Sequence, residues 1–90
     1  MMKHFNITVS GKVQGVFYRQ TTVETGTRLG LNGFVRNESN GNVYIEAEGT
    51  EEGLNKFLSW CKKGPVHAEV AEVQFSEGQF RNFSGFCIKR

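Results

Sequence analysis

Residues 33–48, GFVRNESNGNVYIEAE, decide the fold, because they hold two strand-like runs on either side of a turn. Asn40 and Gly41 lie between the runs, and Asn-Gly in that position is a strong signal for a β-hairpin. In the second run Val43 and Ile45 alternate with polar residues, which is the period of a strand that buries one face. The stretch therefore predicts two adjacent antiparallel strands.

The residues before the hairpin predict one strand and one weak helix. Apolar residues alternate with polar ones from Phe5 to Val9, so a strand with one buried face is expected there. A helix is expected over residues 19–29, but four threonines and Gly26 make it a poor one. Glycine alone costs a helix about 1 kcal/mol relative to alanine, so packing must hold this helix in place.

The residues after the hairpin predict a stronger helix and more strand. Thr50 suits the N-cap of that helix, and Gly64 with Pro65 suits its end. Its apolar stripe has the spacing i, i+3, i+4, i+7 and consists of Leu54, Phe57, Leu58 and Cys61. The following strand either begins near Ala71 or is re-phased by a bulge, and after a break at 77–84 a short piece ends the chain.

The element order is strand, helix, strand, strand, helix, strand, with the last strand split. This order fits an α+β fold of the ferredoxin-like type, a two-layer sandwich built on the split β-α-β pattern. We expect an antiparallel sheet with two helices on one face, and one domain over residues 1–90. Because that layout carries many functions, the function must be read from the site.

Composition excludes several classes of function. The chain has no apolar run long enough to span a membrane, and its start lacks the apolar region of a secretory signal. A net charge of +2 with mixed signs is weak support for nucleic-acid binding. Cys61 and Cys87 cannot form a zinc site with His4 and His67. We therefore expect a cytoplasmic protein with reduced thiols, no metal, no cofactor, no membrane partner, and His4 on an edge or surface strand.

The loop from Gly11 to Arg19 leads from the first strand into the first helix. Amide groups at a helix N-terminus are unpaired and favour anions, and Gly15 lets the main chain approach a ligand closely. Arg19 lies at the unfavourable end of the helix dipole, and a bound anion would remove that penalty. A tight turn with an exposed arginine is the alternative interpretation.

Asn37 ends the second strand immediately before the hairpin turn. An asparagine at this position commonly bonds to nearby backbone groups in the turn. The functional interpretation is a neutral amide that holds a water molecule or a substrate oxygen. Position alone favours the local role.

Two motifs in this sequence resemble those of the acylphosphatase family. The first is residues 11–19, GKVQGVFYR, and the second is residues 33–43, GFVRNESNGNV. Their order and separation also match the family, and the likeness covers almost the whole chain. Tyr18, Phe34 and Gly26 depart from the family's usual Phe, Trp and Ala.

The resemblance implies an enzyme that hydrolyses the carboxyl–phosphate bond of small acyl phosphates without a metal. It implies that Arg19 and Asn37 are catalytic, with Asn37 orienting the attacking water. It also implies a phosphate-binding loop, which inorganic phosphate or other anions can occupy, formed by Gln14, Gly15, Val16, Phe17, Tyr18 and Arg19. A monomer meets these requirements.

Two other functions stay open on the sequence. An RNA-binding module on the same fold would need aromatic residues on the open sheet face, for which Tyr44 is the only good candidate. A phosphate-binding or regulatory domain with little turnover would keep Arg19 and the loop. Lys12 and Arg36 flank the motifs, and a solvated face explains them better than a role in attracting substrate.

Overall fold

The computed structural model describes residues 1–89 and has the α+β fold that the sequence predicts. Two helices pack on a five-stranded sheet of order β4-β1-β3-β2-β5. The elements are β1 Met2–Lys12, α1 Tyr18–Arg28, β2 Asn32–Asn37, β3 Val43–Thr50, α2 Glu51–Lys63, β4 Glu69–Gly78 and β5 Phe86–Ile88. The four strands β4, β1, β3 and β2 pair antiparallel as expected, whereas β5 runs parallel to β2.

The hydrophobic core lies between the sheet and the two helices. Ile7 pairs directly with Ile45, and Ile45 pairs with Val35, so one row of apolar side chains crosses the three central strands. All three are fully buried. The predicted stripe of α2, which is Leu54, Phe57, Leu58 and Cys61, packs over β1 and β3, and α1 packs over β2. The alternation that predicted the strands is therefore the alternation that forms the core.

Helix α1 begins one residue earlier than predicted and is held by contacts with other elements. The Tyr18 hydroxyl donates a hydrogen bond to the Cys61 carbonyl oxygen at 2.8 Å and so ties α1 to α2. Gly26 is buried against the Phe86 ring of β5, which a Cβ atom at this position would approach to 2.6 Å. The glycine that weakens the helix locally thus lets β5 pack closely against it.

Helix α2 has the capped ends that its sequence predicts. The Gly53 amide donates to the Thr50 hydroxyl at 3.1 Å, and Gly64 follows the last turn with a positive φ of 67°. Neither α1 nor α2, the helices formed within residues 1–89, is long and apolar enough to cross a membrane.

Of the two predictions for the strand after α2, the bulge is the one observed, because β4 begins at Glu69, before Ala71. The pairing of β1 with β4 shifts register between Ser10 and Gly11. Gly11 meets the β4 backbone so closely that a Cβ atom would lie 2.2 Å from the Glu69 carbonyl oxygen. The bulge thus explains why the apolar residues before and after Ala71 do not follow a single alternation.

The short last strand is not a continuation of β4, as the split-strand prediction supposed. The chain leaves β4 at one edge of the sheet, crosses the open face (the face away from the helices) and pairs with β2 at the other edge. The crossing segment is fixed by Glu48, whose carboxylate accepts hydrogen bonds from the Arg81 and Phe83 amides. This arrangement brings β5 beside α1 and β2.

His4 is buried in the middle of the sheet, so its placement on an edge or surface strand was wrong. It is 2% exposed, and its Nδ1 lies 2.7 Å from a Glu48 oxygen. The Phe83 ring of the crossing segment covers it at 5.6 Å. Burial alone would raise the pKa of Glu48, but the hydrogen bonds from Arg81, His4 and Phe83 outweigh it and lower that pKa.

Candidate functional site

A pocket of about 290 Å³ opens where the loop after β1, the first turn of α1, the end of β2 and strand β5 meet. It contains both residues that the sequence singled out for catalysis, Arg19 and Asn37. Its lining consists of Val13, Gly15, Phe17, Tyr18, Arg19, Gln20, Asn37 and Ile88. Residues 18 positions apart in the chain are therefore brought to one cavity by the α1–β2 packing.

The first turn of α1 presents its backbone amides without a side-chain cap. The N-cap residue is Phe17, which has φ 63° and ψ 21° and makes no capping hydrogen bond. Gly15 also has a positive φ, 74°, and nothing lies within 4 Å of where its Cβ would be. The first amides of a helix lack intrahelical acceptors, so this turn directs unpaired donors and partial positive charge toward the pocket.

Among residues 1–89, Arg19 is the only charged residue that lines the pocket. Its side chain is half-buried, and among residues 1–89 it has no carboxylate within ion-pair distance. A guanidinium at the N-terminal end of a helix is on the unfavourable side of the dipole. The local charge is thus positive and is not neutralised by the described part of the protein.

Asn37 places its side chain on the helix side of the sheet, because it has the same parity as the core residue Val35. Its Oδ1 is buried and has no hydrogen-bond partner among residues 1–89. A buried acceptor left without a partner costs about 1–3 kcal/mol. The atom is therefore available to accept a hydrogen bond from a molecule in the pocket, which the local turn role would not require.

The Gln14 side chain links the loop to the hairpin. Its Nε2 donates to the Glu38 and Asn42 carbonyl oxygens, both at 2.8 Å. These carbonyls flank the turn that follows Asn37, so Gln14 sets the distance between the loop and the end of β2. Of the six residues predicted to bind phosphate, Gln14 and Val16 do not line the pocket, whereas the other four do.

Tyr18 contributes to the pocket from inside the core. Burial, together with the neighbouring Cys61, raises the pKa of its hydroxyl far above the ordinary value. Burial also raises the pKa of the Cys61 thiol, to about 12. Both groups therefore stay protonated near neutral pH and are poorly suited to acid–base or nucleophilic chemistry.

The residues that flank the motifs lie away from the pocket. Arg36 points to the open face, where its guanidinium lies 4.7 Å from the Tyr44 ring centroid and 3.8 Å from a Glu38 oxygen. The Tyr44 hydroxyl donates to Glu46 at 2.7 Å. Arg36 is thus occupied on the opposite side of the sheet from Asn37, which agrees with the solvated-face interpretation.

Ile88 is a pocket residue that the sequence did not indicate. It belongs to β5, pairs with Val35 and is 43% exposed. The apolar pattern of residues 85–89 predicts a strand but does not say which edge of the sheet it joins. Only the crossing over the open face places Ile88 beside α1.

Comparisons with known proteins agree on one family. The family model described as acylphosphatase matches residues 5–88. An acylphosphatase of Methylococcus capsulatus is 39% identical over 87 residues, which cover 92% of this chain and 95% of the relative. The structure of an acylphosphatase from Coxiella burnetii superposes with a TM-score of 0.95 at 34% identity, covering 98% of this chain and 93% of the other. The Bacillus subtilis acylphosphatase structure gives 0.95 at 31% identity, with both chains fully covered.

Proposed function

Because the chain belongs to the acylphosphatase family, an enzyme family that hydrolyses acyl phosphates, we propose that it cleaves small acyl phosphates in the pocket that Arg19 and Asn37 line. The products are a carboxylate and inorganic phosphate. The observation that carries the assignment of residues is the unpartnered Oδ1 of Asn37 in the same cavity as an arginine without an ion-pair partner among residues 1–89. Such a pair offers one acceptor for water and one cation for a phosphoryl group.

The phosphoryl group binds at the first turn of α1 in this proposal. The amides of residues 14–19 donate hydrogen bonds to its oxygens, and the Arg19 guanidinium forms a charge-assisted pair with it. Gly15 admits the ligand closely because nothing projects from its backbone. Phosphoryl transfer depends mainly on positioning and on stabilising charge at the equatorial oxygens, which these donors supply.

Asn37 positions the attacking water. A water O–H donates to Oδ1, so the lone pair of the water oxygen is directed at phosphorus. The new P–O bond forms as the bond between phosphorus and the carboxyl oxygen breaks, and the leaving carboxylate keeps the electron pair. The proton of the water passes to a phosphoryl oxygen, so that water and the dianionic substrate give a carboxylate and dihydrogen phosphate.

No general acid is required for this step. The leaving group is the anion of an acid whose pKa is about 4, so it departs without protonation at neutral pH. We expect a rate profile without a histidine-like ionisation near neutral pH. A single sharp histidine-like ionisation in that range would contradict transfer of the proton to the phosphate.

The reaction is proposed to proceed without a metal. Within residues 1–89, the pocket lining includes no aspartate, glutamate, histidine or cysteine side chain, and these are the usual protein ligands of Mg²⁺ and Zn²⁺. Arg19 and the amides fill the role that a cation has in other phosphoryl-transfer sites. In this proposal one copy of the chain supplies Arg19, Asn37 and the loop, and the enzyme acts as a monomer.

The test is hydrolysis of benzoyl phosphate in the presence of EDTA by the wild type and by Arg19→Ala and Asn37→Ala. We expect wild-type turnover to survive EDTA and to fall about 10²–10³-fold or more in each variant. Circular dichroism and unfolding curves establish that the variants fold. Arg28→Ala, at the far end of the same helix, is the matched control and should retain activity.

A phosphate-binding domain with little turnover is the outcome that would replace this proposal. It would appear as tight binding of inorganic phosphate by a folded wild type that does not hydrolyse acyl phosphates above the uncatalysed rate. Activity lost in EDTA and restored by Mg²⁺ would overturn the metal-free mechanism alone.

A further inference from the structure

Two exposed apolar side chains border the pocket next to the proposed phosphoryl site. Phe17 is 74% exposed and Ile88 is 43% exposed, and both line the cavity. Seven large apolar side chains of residues 1–89 are exposed, and two of them lie at this single opening, where they form a local apolar surface. We call Phe17 and Ile88 the apolar rim.

The backbone holds Phe17 outward from the core. Its φ of 63° is in the left-handed region, which bulky residues rarely adopt. The Thr21 amide and hydroxyl both bond to the Phe17 carbonyl oxygen, at 3.0 and 2.9 Å, and so stabilise this conformation. The same conformation that leaves the helix amides uncapped therefore keeps an aromatic ring at the mouth of the pocket.

Ile88 reaches the rim through long-range structure. The Lys89 amide donates to the Val35 carbonyl oxygen at 2.8 Å and fixes β5 against β2. Phe86, two residues before Ile88 and on the same side of β5, packs against Gly26 of α1. These contacts hold Ile88 against the first turn of α1, on a different element from Phe17.

We infer that the apolar rim binds the acyl group, so that the enzyme prefers acyl phosphates with an apolar, above all aromatic, acyl group. This inference rests on the proposed function, because it assigns the part of the substrate that the phosphoryl site does not hold. An aromatic acyl group that leaves water for the Phe17 and Ile88 surfaces gains hydrophobic contact. Among residues 1–89, Arg19 is the only charged residue of the lining, so this part of the chain offers the acyl group apolar surface rather than a second cation.

The test compares benzoyl phosphate with acetyl phosphate, which share the phosphoryl group and differ in the acyl group. In wild type we expect a kcat/KM for benzoyl phosphate at least tenfold above that for acetyl phosphate. Ile88→Thr keeps the branch at Cβ but replaces the ethyl group with a hydroxyl, and it should lower the ratio of kcat/KM for benzoyl phosphate to kcat/KM for acetyl phosphate about fivefold. Phe17→Ser combined with Ile88→Thr should lower the ratio further.

Val66→Thr is the matched control, since Val66 is 92% exposed and does not line the pocket. The ratio of kcat/KM for benzoyl phosphate to kcat/KM for acetyl phosphate should be the same in Val66→Thr as in the wild type. If Ile88→Thr leaves the ratio of the two kcat/KM values unchanged, whether or not both values fall, the acyl-binding role of the apolar rim is overturned. The hydrolytic function then still stands.

Calorimetry with benzoylphosphonate and acetylphosphonate separates this inference from the proposed function. These compounds lack the cleavable oxygen bridge, so they report binding without turnover. If the wild type binds benzoylphosphonate more tightly than acetylphosphonate and Ile88→Thr abolishes this difference, the acyl-binding role of the apolar rim is supported. That conclusion holds even if the protein hydrolyses neither substrate. Equal affinity for both compounds overturns the rim whether or not hydrolysis is observed.

Discussion

The first turns of α1 and α2 are built in opposite ways. In α2 the Thr50 hydroxyl accepts from the Gly53 amide, and Glu51 and Glu52 complement the positive end of the dipole. In α1 no side chain caps the turn, no acid lies in it, and Arg19 adds positive charge. Each difference makes α1 the less stable helix start and supports our proposal that it binds the anion.

The contrast shows where local stability and function diverge. A helix start that neutralises its own amides has little left to offer a ligand, whereas one left open must be held by tertiary contacts. In α1 those contacts are the Tyr18 hydrogen bond to Cys61 and the packing of Gly26 against Phe86. Changes that make one turn resemble the other therefore test the comparison.

The largest expected effect comes from giving α1 the acid that α2 carries. Arg19→Glu should lower kcat/KM for benzoyl phosphate by at least about 10³-fold, because it removes the cation and repels the phosphoryl group. The same change should leave the free energy of unfolding unchanged or raise it by about 0.3–1 kcal/mol through the helix dipole. Enzyme assays and urea unfolding measure the two effects.

Arg28→Glu is the control for that charge reversal, since Arg28 lies in the last turn of α1. Arg28→Glu should preserve activity, which Arg19→Glu loses. It should also lower the free energy of unfolding, which Arg19→Glu leaves unchanged or raises. Substantial activity in folded Arg19→Glu would break the comparison.

The second prediction concerns Glu48, which fixes the segment that brings β5 to α1. Glu48→Gln should lower the free energy of unfolding at pH 7 by about 1–3 kcal/mol, because an amide cannot accept all the hydrogen bonds that the carboxylate receives. The pKa of Glu48 lies below its ordinary value of 4.5 despite burial, owing to its bonds from Arg81, His4 and Phe83. The stability it contributes is therefore present above pH 4.5 and is lost as the pH falls through the lowered pKa.

Urea unfolding of the wild type and Glu48→Gln at several pH values measures this contribution. The difference between the two proteins should narrow toward acid pH. Glu69→Gln, an exposed carboxylate on β4, should show little difference from the wild type throughout. If the difference in unfolding free energy between the wild type and Glu48→Gln stays constant with pH, the role assigned to the Glu48 carboxylate is contradicted.

The third prediction tests the link between the α1 loop and the hairpin. Gln14→Met keeps the length of the side chain and removes its donor, leaving the Glu38 and Asn42 carbonyls without that bond. We expect kcat to fall about tenfold, because a small displacement of Asn37 relative to the phosphoryl site is costly, and stability to fall about 1–2 kcal/mol. Steady-state kinetics should show the loss in kcat more than in the inhibition constant of phosphate.

Gln74→Met provides the comparison for Gln14→Met, since Gln74 is exposed on β4. It should behave like the wild type in both assays. A Gln14→Met protein that loses stability and keeps full kcat would assign Gln14 a purely structural role.

The smallest effect is expected at the α2 cap. Thr50→Ala removes the acceptor of the Gly53 amide and should cost about 1 kcal/mol of unfolding free energy, with activity retained below the unfolding transition. Thr27→Ala, at an exposed position in α1, should instead stabilise slightly, because alanine is the better helix former. A loss of activity in folded Thr50→Ala would show that α2 shapes the pocket.

Local patterns predicted the parts of this fold that local physics controls. The alternation from Phe5 to Val9, the Asn-Gly turn and the α2 stripe each corresponded to an observed element. The family resemblance, and not a local pattern, linked Arg19 with Asn37, and both line one pocket. Features decided by distant contacts were missed. His4 was predicted to lie on an edge or surface strand because its partner, Glu48, is 44 residues away in the sequence.

The same reason applies to the pocket's apolar side. Ile88 lines the pocket only because the chain crosses the open face and joins β2, a choice that depends on backbone bonds to Glu48. The hydrogen bond from the Gln14 side chain to the Asn42 carbonyl oxygen of the hairpin likewise joins segments that are far apart in sequence. Spacing within a motif carries no information about such pairings.

The most direct test of the central claim is a titration of the ¹⁵N-labelled protein with inorganic phosphate, followed by the amide shifts of both helix starts. The account predicts saturable shifts of the amides of residues 14–19 and of the Asn37 side chain, with little change at residues 51–53. It also predicts that these shifts vanish in Arg19→Glu. Equal shifts at both helices, or none at residues 14–19, would contradict the claim that the open first turn of α1 binds the phosphoryl group.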